Sequence, residues 1–355
     1  MTALYLHGRS LISALGGDLA EASATLAEGG VAPTRVALAD GVEWPYFGIA
    51  DAEAGWQRRS GRLLRAAVAQ AGVDDALRDA PLFIASSSFQ IGAIEAGEPA
   101  RRDDYHSFAE EIADWLGWRG PVHLVSTACT SSLNALLAAA AHLRAGAADD
   151  ALVLGVELAN RYTVAGFATL QLLSPYAARP FGSGRDGLVL GEAVAALHLS
   201  RRPSRWRLRG GAARVDGRDP TGARPDTVAQ LCREALEDAG LAAEAVDLVK
   251  VQAAGSPYND ANEVAGLADV FAPLPPLVSL KAAIGHTLGA AGAAELALML
   301  ACLERDVWPR VDYPLDPEAG AGLAPARPAR VRQLLALILG FGGGYAAVAL
   351  EDCDG

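Results

Sequence analysis

Ser126-Thr127-Ala128-Cys129-Thr130-Ser131-Ser132 joins a short apolar run, His123 to Val125, to an alanine- and leucine-rich stretch, Leu133 to Leu143. An apolar run that gives way through small residues to a helix-forming segment is the setting of a nucleophile at a strand-to-helix turn. The first turn of a helix carries unpaired N–H groups and the positive end of the helix dipole, and both favour a thiolate. A cysteine there is expected to have a lowered pKa and to accept acyl groups near neutral pH. The same layout suits a small buried residue ahead of a core helix, so the rest of the chain decides.

Three further segments follow in order. Arg179-Pro180-Phe181 precedes Gly184-Arg185-Asp186-Gly187 and Gly191-Glu192-Ala193. Ser279-Leu280-Lys281 precedes Ile284-Gly285-His286-Thr287-Leu288-Gly289-Ala290-Ala291-Gly292, and Gly340-Phe341-Gly342-Gly343-Gly344 lies near the end. One glycine cluster only marks a turn. Together with the cysteine segment, and at suitable separations, the four resemble the motifs of the elongating β-ketoacyl synthases of fatty-acid and polyketide pathways. The likeness runs over most of the chain.

That resemblance implies an α/β, thiolase-like fold of two pseudo-repeated halves, residues 1–203 and 204–355, in an αβαβα layering. Each half would hold a mixed five-stranded sheet with helices on both faces. By resemblance Cys129 is the nucleophile, His286 binds the thioester carbonyl and Lys281 organises the site electrostatically. The N–H groups of Cys129 and Phe341 would form the oxyanion hole, and Phe341 would gate the acyl tunnel. Asp260 and Glu263 would hold loops, Glu263 pairing with Lys281. No metal or cofactor is implied, because substrates arrive as phosphopantetheine thioesters on acyl carrier protein. Members of this fold pair across sheet edges, so a homodimer or a heterodimer with a complete ketosynthase is expected.

The pattern breaks where the family has an Ala-His-Gly-Thr segment. Here the stretch reads Val251-Gln252-Ala253-Ala254-Gly255-Ser256-Pro257-Tyr258-Asn259-Asp260. On this reading Ala254 holds the first-histidine position, and the loop to Asp260 is about two residues short. Losing one carbonyl donor typically costs about a hundred- to a thousandfold in rate, so acylation of Cys129 should outlast condensation. The stretch between Arg209 and Val228 is also short for an acyl-channel wall. Three functions compete: a subunit similar to chain-length factors that pairs with a complete ketosynthase, an active condensing enzyme using Cys129 and His286, and a Cys129-dependent acyltransferase or hydrolase. The first is favoured, and compact divergent synthases of this kind point to polyene or aryl-polyene pathways.

Composition bounds these readings. The chain has 355 residues, 51% of them hydrophobic, enough for one large or two smaller cores. A net charge of −12 argues against nucleic acid. Acyl carrier proteins are acidic as well, so docking one needs a local basic patch; Arg58, Arg59, Arg62 and Arg65, or Arg201, Arg202, Arg205, Arg207 and Arg209, are candidates. No segment reads as a signal peptide or membrane span, so the expectation is a cytoplasmic protein. The four cysteines, Cys129, Cys232, Cys302 and Cys353, include no Cys-x-x-Cys pair, hence no zinc site or disulfide framework.

Without any resemblance, apolar strands alternating with helices argue an α/β class. Leu133 to Leu143 and Ala293 to Leu303 are apolar nearly all round, as central helices must be. Ala151 to Val156 and Val246 to Val251 read as buried strands, and Trp308 to Arg332, rich in proline and alanine, as surface loop. Asp186 to Ser200 and Leu334 to Glu351 both read as strand, glycine turn, strand, closing the two halves as a weak internal repeat.

Overall fold

The computed structural model describes residues 2–39, 41–51, 55–98 and 104–354. Ten strands carry the architecture: β1 (Leu4–Ser13), β2 (Leu82–Ala85), β3 (Val122–Val125), β4 (Asp150–Glu157), β5 (Ala193–Ser200), β6 (Trp206–Val215), β7 (Leu248–Lys250), β8 (Leu277–Val278), β9 (Gln333–Gly340) and β10 (Gly344–Asp352). They lie in one sheet in the order β8-β7-β9-β10-β6-β1-β5-β4-β2-β3. Each half thus has its five strands in the order third, second, fourth, fifth, first. The pairings repeat too: third to second and second to fourth are parallel, the rest antiparallel. The two five-stranded sheets are continuous, because Leu4, Tyr5 and Leu6 of β1 pair antiparallel with Leu208, Arg207 and Trp206 of β6.

Side-chain alternation along each strand builds the layers. In β4, Ala151 and Val153 face the large central core while Leu152, Leu154 and Val156 face an outer one. In β9, Leu334, Ala336 and Ile338 face the same central core, and Leu335 and Leu337 face a third. Between the halves lie α1 (Ser131–Arg144) and α2 (Ala291–Arg305), each packed on strands of both halves. In α2 every residue from Ala291 to Leu303 is buried, which explains its all-round apolar sequence. Close approach demands glycine here: a Cβ on Gly292 would fall 2.6 Å from the Leu133 side chain. The result is the αβαβα layering of a thiolase-like fold.

The internal repeat is real but lies elsewhere than the sequence reading puts it. Leu334 to Glu351 is indeed a hairpin, β9 and β10 pairing through Gly340 and Gly344. Its counterpart is β4 with β5, whose connection carries the long insertion 158–192. Asp186 to Ser200 is no hairpin: Leu190–Gly191 joins a separate three-stranded sheet beside Glu43–Phe47 and Thr34–Ala37. Within Trp308 to Arg332 the one regular element is a 3-10 turn, Pro317–Ala319, yet Ala319, Leu323 and Val331 are buried.

Candidate active site

β3 ends at Val125 and α1 begins at Ser131, so Cys129 sits on the turn between them. The turn is bent by Ala128, whose φ of 53° is the left-handed region that alanine rarely enters. The hydroxyls of the motif hold that bend. Ser131 Oγ donates to the Ala128 carbonyl at 2.6 Å and accepts from the Thr127 N–H at 2.9 Å. Thr130 Oγ1 donates to the Thr127 carbonyl at 2.7 Å, and Asn134 Nδ2 donates to Thr127 Oγ1 at 2.8 Å. Ser132 Oγ accepts from the Ala293 N–H at 3.0 Å, tying the turn to α2.

Cys129 is 2% exposed. His286 Nε2 lies 3.0 Å from its sulfur, and the backbone N–H groups of Phe341 and Cys129 also point at the sulfur. The helix-dipole expectation of a lowered pKa is corrected: burial outweighs these donors and Lys281, and pushes the thiol up to about 11. The thiol at rest keeps its proton. Burial, together with the charges of Lys281 and Lys250, holds His286 well below the usual histidine range. A neutral imidazole beside a protonated thiol can take that proton once a thioester arrives.

His286 is placed by the Gly191-Glu192 segment: its N–H donates to the Val189 carbonyl at 2.7 Å, and its own carbonyl accepts from the Gly191 N–H at 3.1 Å. Glu192 anchors that segment through Arg59 and through the N–H groups of Ile49 and Ala159. Asp260 accepts from the N–H groups of Phe181, Ala254 and Gly255, joining the second motif to the altered loop.

Lys281 does not pair with Glu263. Its ammonium meets Glu295 Oε1, and Glu295 Oε2 lies 2.7 Å from Lys250 Nζ. Glu263 instead accepts from the N–H groups of Gln252 at 2.7 Å and Ala253 at 2.8 Å, fixing the turn after β7. Lys250 and Glu295 were missed by the sequence reading. The signal was there: a single acid inside an all-apolar helix and a single cation ending an apolar strand each need a buried partner. These two lysines are also the only lysines among the chain's 30 basic residues.

A narrow cleft of about 40 Å³ opens beside the nucleophile, lined by Gln252, Ala254, Ser256, Leu339, Gly340 and Phe341 among others. Gly340 forms the wall toward Cys129; a Cβ there would lie 3.3 Å from the Cys129 Cβ. Phe341 stacks edge-on against Phe167, ring centroids 5.3 Å apart, between Gly340 and two glycines at φ 85° and 74°. Ala254 offers this cleft a methyl group. Two residues earlier, Gln252 brings an amide to the cleft, and among the described residues its Oε1 is buried without a partner. Thr221, Gly222 and Ala223, from the short stretch after β6, still form part of the wall.

Most of the arginines in the two clusters are paired with carboxylates. Arg59 and Arg62 pair with Asp51, and Arg59 also with Glu192. Arg201 meets Asp149, Arg202 Asp150, Arg205 Asp352, and Arg207 and Arg209 both Glu351. Among the described residues no cluster of histidine, cysteine and acids could hold a metal ion, and no helix is long and apolar enough to cross a membrane.

Burial raises Glu263 to about 7. Above pH 4.5 the unfolded chain has released this proton while the native state keeps it, so this group's contribution falls as pH rises to 7. Glu263→Gln lacks that fall. Between pH 5 and 8 the variant is expected to gain on the wild type by about 2–3 kcal/mol, read as a converging or crossing pair of melting-temperature curves. Parallel curves would show that Glu263 is ionised in the fold throughout.

Comparison with known proteins gives a consistent answer. The β-ketoacyl synthase N-terminal domain matches residues 7–204, and the C-terminal domain of the same family matches residues 207–312. The chain is 33% identical over 270 residues to a putative polyketide β-ketoacyl synthase 1 of Streptomyces virginiae, covering 70% of this chain and 64% of the relative. It is likewise 33% identical to the ketoacyl synthase alpha subunit of the tetracenomycin polyketide synthase of Streptomyces glaucescens, covering 69% and 63%. The chain thus spans a little under two thirds of these relatives' length. Among solved structures, one chain of the complex of the ketosynthase ApeO with its chain length factor ApeC from Xenorhabdus doucetiae superposes with a TM-score of 0.85 at 25% identity. That match covers 99% of this chain and 98% of the other. The ishigamide ketosynthase/chain length factor gives 0.85 and 25%, covering 99% of both.

Proposed function

Because the chain belongs to the β-ketoacyl synthase family, we propose that it is a ketosynthase-like subunit of polyketide biosynthesis, loaded on Cys129 and weak in condensation on its own. The observation that carries this is an intact Cys129–His286 pair facing two backbone donors, beside a cleft where no second histidine stands. We place the missing histidine's position at Gln252 rather than Ala254. That placement lengthens the loop to Asp260 by two residues, removing the shortfall, and puts a buried side-chain amide in the cleft.

In the loading step the carrier's thioester carbon meets Cys129 Sγ, and the carbonyl oxygen turns to the N–H groups of Cys129 and Phe341. A C–S bond forms to Cys129 while the bond to the pantetheine sulfur breaks. The thiol proton passes to His286 Nε2 and then to the departing thiolate. No cofactor beyond the carrier's phosphopantetheine arm takes part. Decarboxylative condensation asks more, since charge builds on the malonyl carbonyl oxygen and needs two directed donors. Here they are His286 and the neutral amide of Gln252, the weaker set.

We assign the partner role to the exposed edge. β3 ends the ten-stranded sheet and leads directly into the Cys129 turn, so a second subunit added there would sit beside the nucleophile. A heterodimer with a complete ketosynthase is the reading that the ApeO–ApeC and ishigamide likenesses support. With most of the candidate arginines already paired with carboxylates, that partner would supply much of the basic surface for an acidic carrier. All four cysteines are free, which suits the reducing cytoplasm.

The test is intact-protein mass spectrometry of the purified chain with acyl-carrier and malonyl-carrier proteins, alongside Cys129→Ala. The expected result is an acyl adduct lost in the variant, with little elongated product until a complete ketosynthase is added. Efficient elongation by the chain alone would overturn the partner reading in favour of an active condensing enzyme. Steady release of free acid would favour a hydrolase, and no adduct at all would make Cys129 a structural residue.

A further inference from the structure

In a chain that uses arginine for every other cation, the two lysines are both fully buried and both meet one carboxylate. Arginine stays protonated wherever it sits, whereas a buried lysine has a charge that its surroundings can alter. Lys281 belongs to the family motif; Lys250 has no assigned part.

β7 places Lys250 by alternation. Leu248 faces the central core and Val249 the outer one, so Lys250 points inward toward α2. There its Nζ donates to the Leu337 carbonyl at 2.8 Å and lies 2.7 Å from Glu295 Oε2. Two cations on one carboxylate leave a net positive charge in the central layer. The groups around His286 are Cys129 from the turn before α1, Lys281 from the short helix Lys281–Ile284, Lys250 from β7 and Glu295 from α2. Beyond them lie Glu157 of β4 and Glu263 of the helix Pro257–Ala268. Glu157 is turned away, holding Ser87, Ser88 and Gly289. Among the described residues the Nδ1 of His286 has no partner, so no carboxylate or carbonyl among them supports an imidazolium.

We propose that Lys250 is a positioning residue for the Cys129–His286 pair: by sharing Glu295 with Lys281 it leaves a positive charge behind His286 that keeps the imidazole uncharged and forbids a resting thiolate–imidazolium pair. Cys129 is then inert to stray electrophiles and gives up its proton only in acyl transfer. Burial lowers Lys250 itself to about 8, so the restraint operates below that pH and fades above it. The proposal rests on reading Cys129 as the acyl acceptor, but its test needs no carrier protein, so the two readings fail separately.

The experiment is the pH profile of Cys129 alkylation by iodoacetamide in the wild type, Lys250→Met and Lys250→Arg, read by peptide mass spectrometry. The wild type should react slowly at pH 6 to 7 and speed up only in alkali. Lys250→Met should gain a neutral-pH limb at least about tenfold faster at pH 7, since one unit of imidazole basicity is tenfold in ion-pair population. Lys250→Arg, keeping the charge at every pH, should follow the wild type below about pH 8 and lack its break above that pH. A Lys250→Met profile that superposes on the wild type, or one matched by Lys250→Arg, overturns the proposal. Should Lys250→Met fail to fold, wild-type protein labelled with carbon-13 at lysine Cε serves instead. It has only two lysine resonances, and the one that titrates near pH 8 must share its midpoint with a break in the alkylation profile. Absence of that shared break refutes the assignment.

Discussion

Glu295→Ala is expected to destabilise the protein by about 3–5 kcal/mol, because it strands two ammonium groups in a dry core. Stability of a domain is itself only about 5–15 kcal/mol, so the variant should melt far below the wild type or fail to accumulate. The pH dependence identifies the cause. Without the carboxylate both lysines are driven toward the neutral amine, so the unfolded chain binds more protons than the native one. Stability of the variant must then rise as pH climbs from 7 toward 10, starting at a lower pH and rising further than in the wild type, where Lys250 releases its proton only near 8. Urea melts at three pH values would show this. A loss independent of pH would mean that the missing side-chain volume, rather than the stranded charge, is what α2 cannot tolerate.

The second large effect is a gain. Gln252→His should restore a ring donor to the cleft and raise decarboxylative elongation by about a hundredfold, the scale of one directed donor in an acyl-transfer site. The level of acyl adduct on Cys129 should not change, because loading uses backbone donors. Product from malonyl-carrier protein, measured in the single variant against wild type, separates the two steps. Ala254→His serves as the control, since Ala254 spends its N–H on Asp260 and sits two residues away. A gain in the control without one at position 252 would return the lost position to Ala254.

How much of this could be read from residues alone depends on whether a signal was local. The Cys129 turn, the two central helices and the glycine loop around Phe341 were legible, because each is a short pattern of small, apolar or left-handed residues with one structural solution. The fold class followed from strand and helix alternation together with those motifs. Lys281 was read in its motif but given the wrong partner. The resemblance supplied Glu263 as the partner, whereas the acid that reaches Lys281 is Glu295, 14 residues on and buried inside the all-apolar α2. The register of the lost histidine was not legible: three small residues in a row, Ala253, Ala254 and Gly255, give no local mark by which to count. The helix dipole misled for Cys129 because its modest pull is outweighed by desolvation: two residues before α1, the cysteine is buried with Gly340 of the glycine loop against it.

The confinement of both lysines to the core has a consequence for the outside of the molecule. Apart from the chain terminus, the surface offers no primary amine, so enzymes that acetylate or ubiquitinate lysine find no acceptor on the folded protein. Amine-seeking crosslinkers and dyes should likewise pass over it, and would mark any partner subunit in a complex instead. Lysine labelling of this chain therefore becomes a sensor of unfolding: an amine that reacts has left the centre of the site.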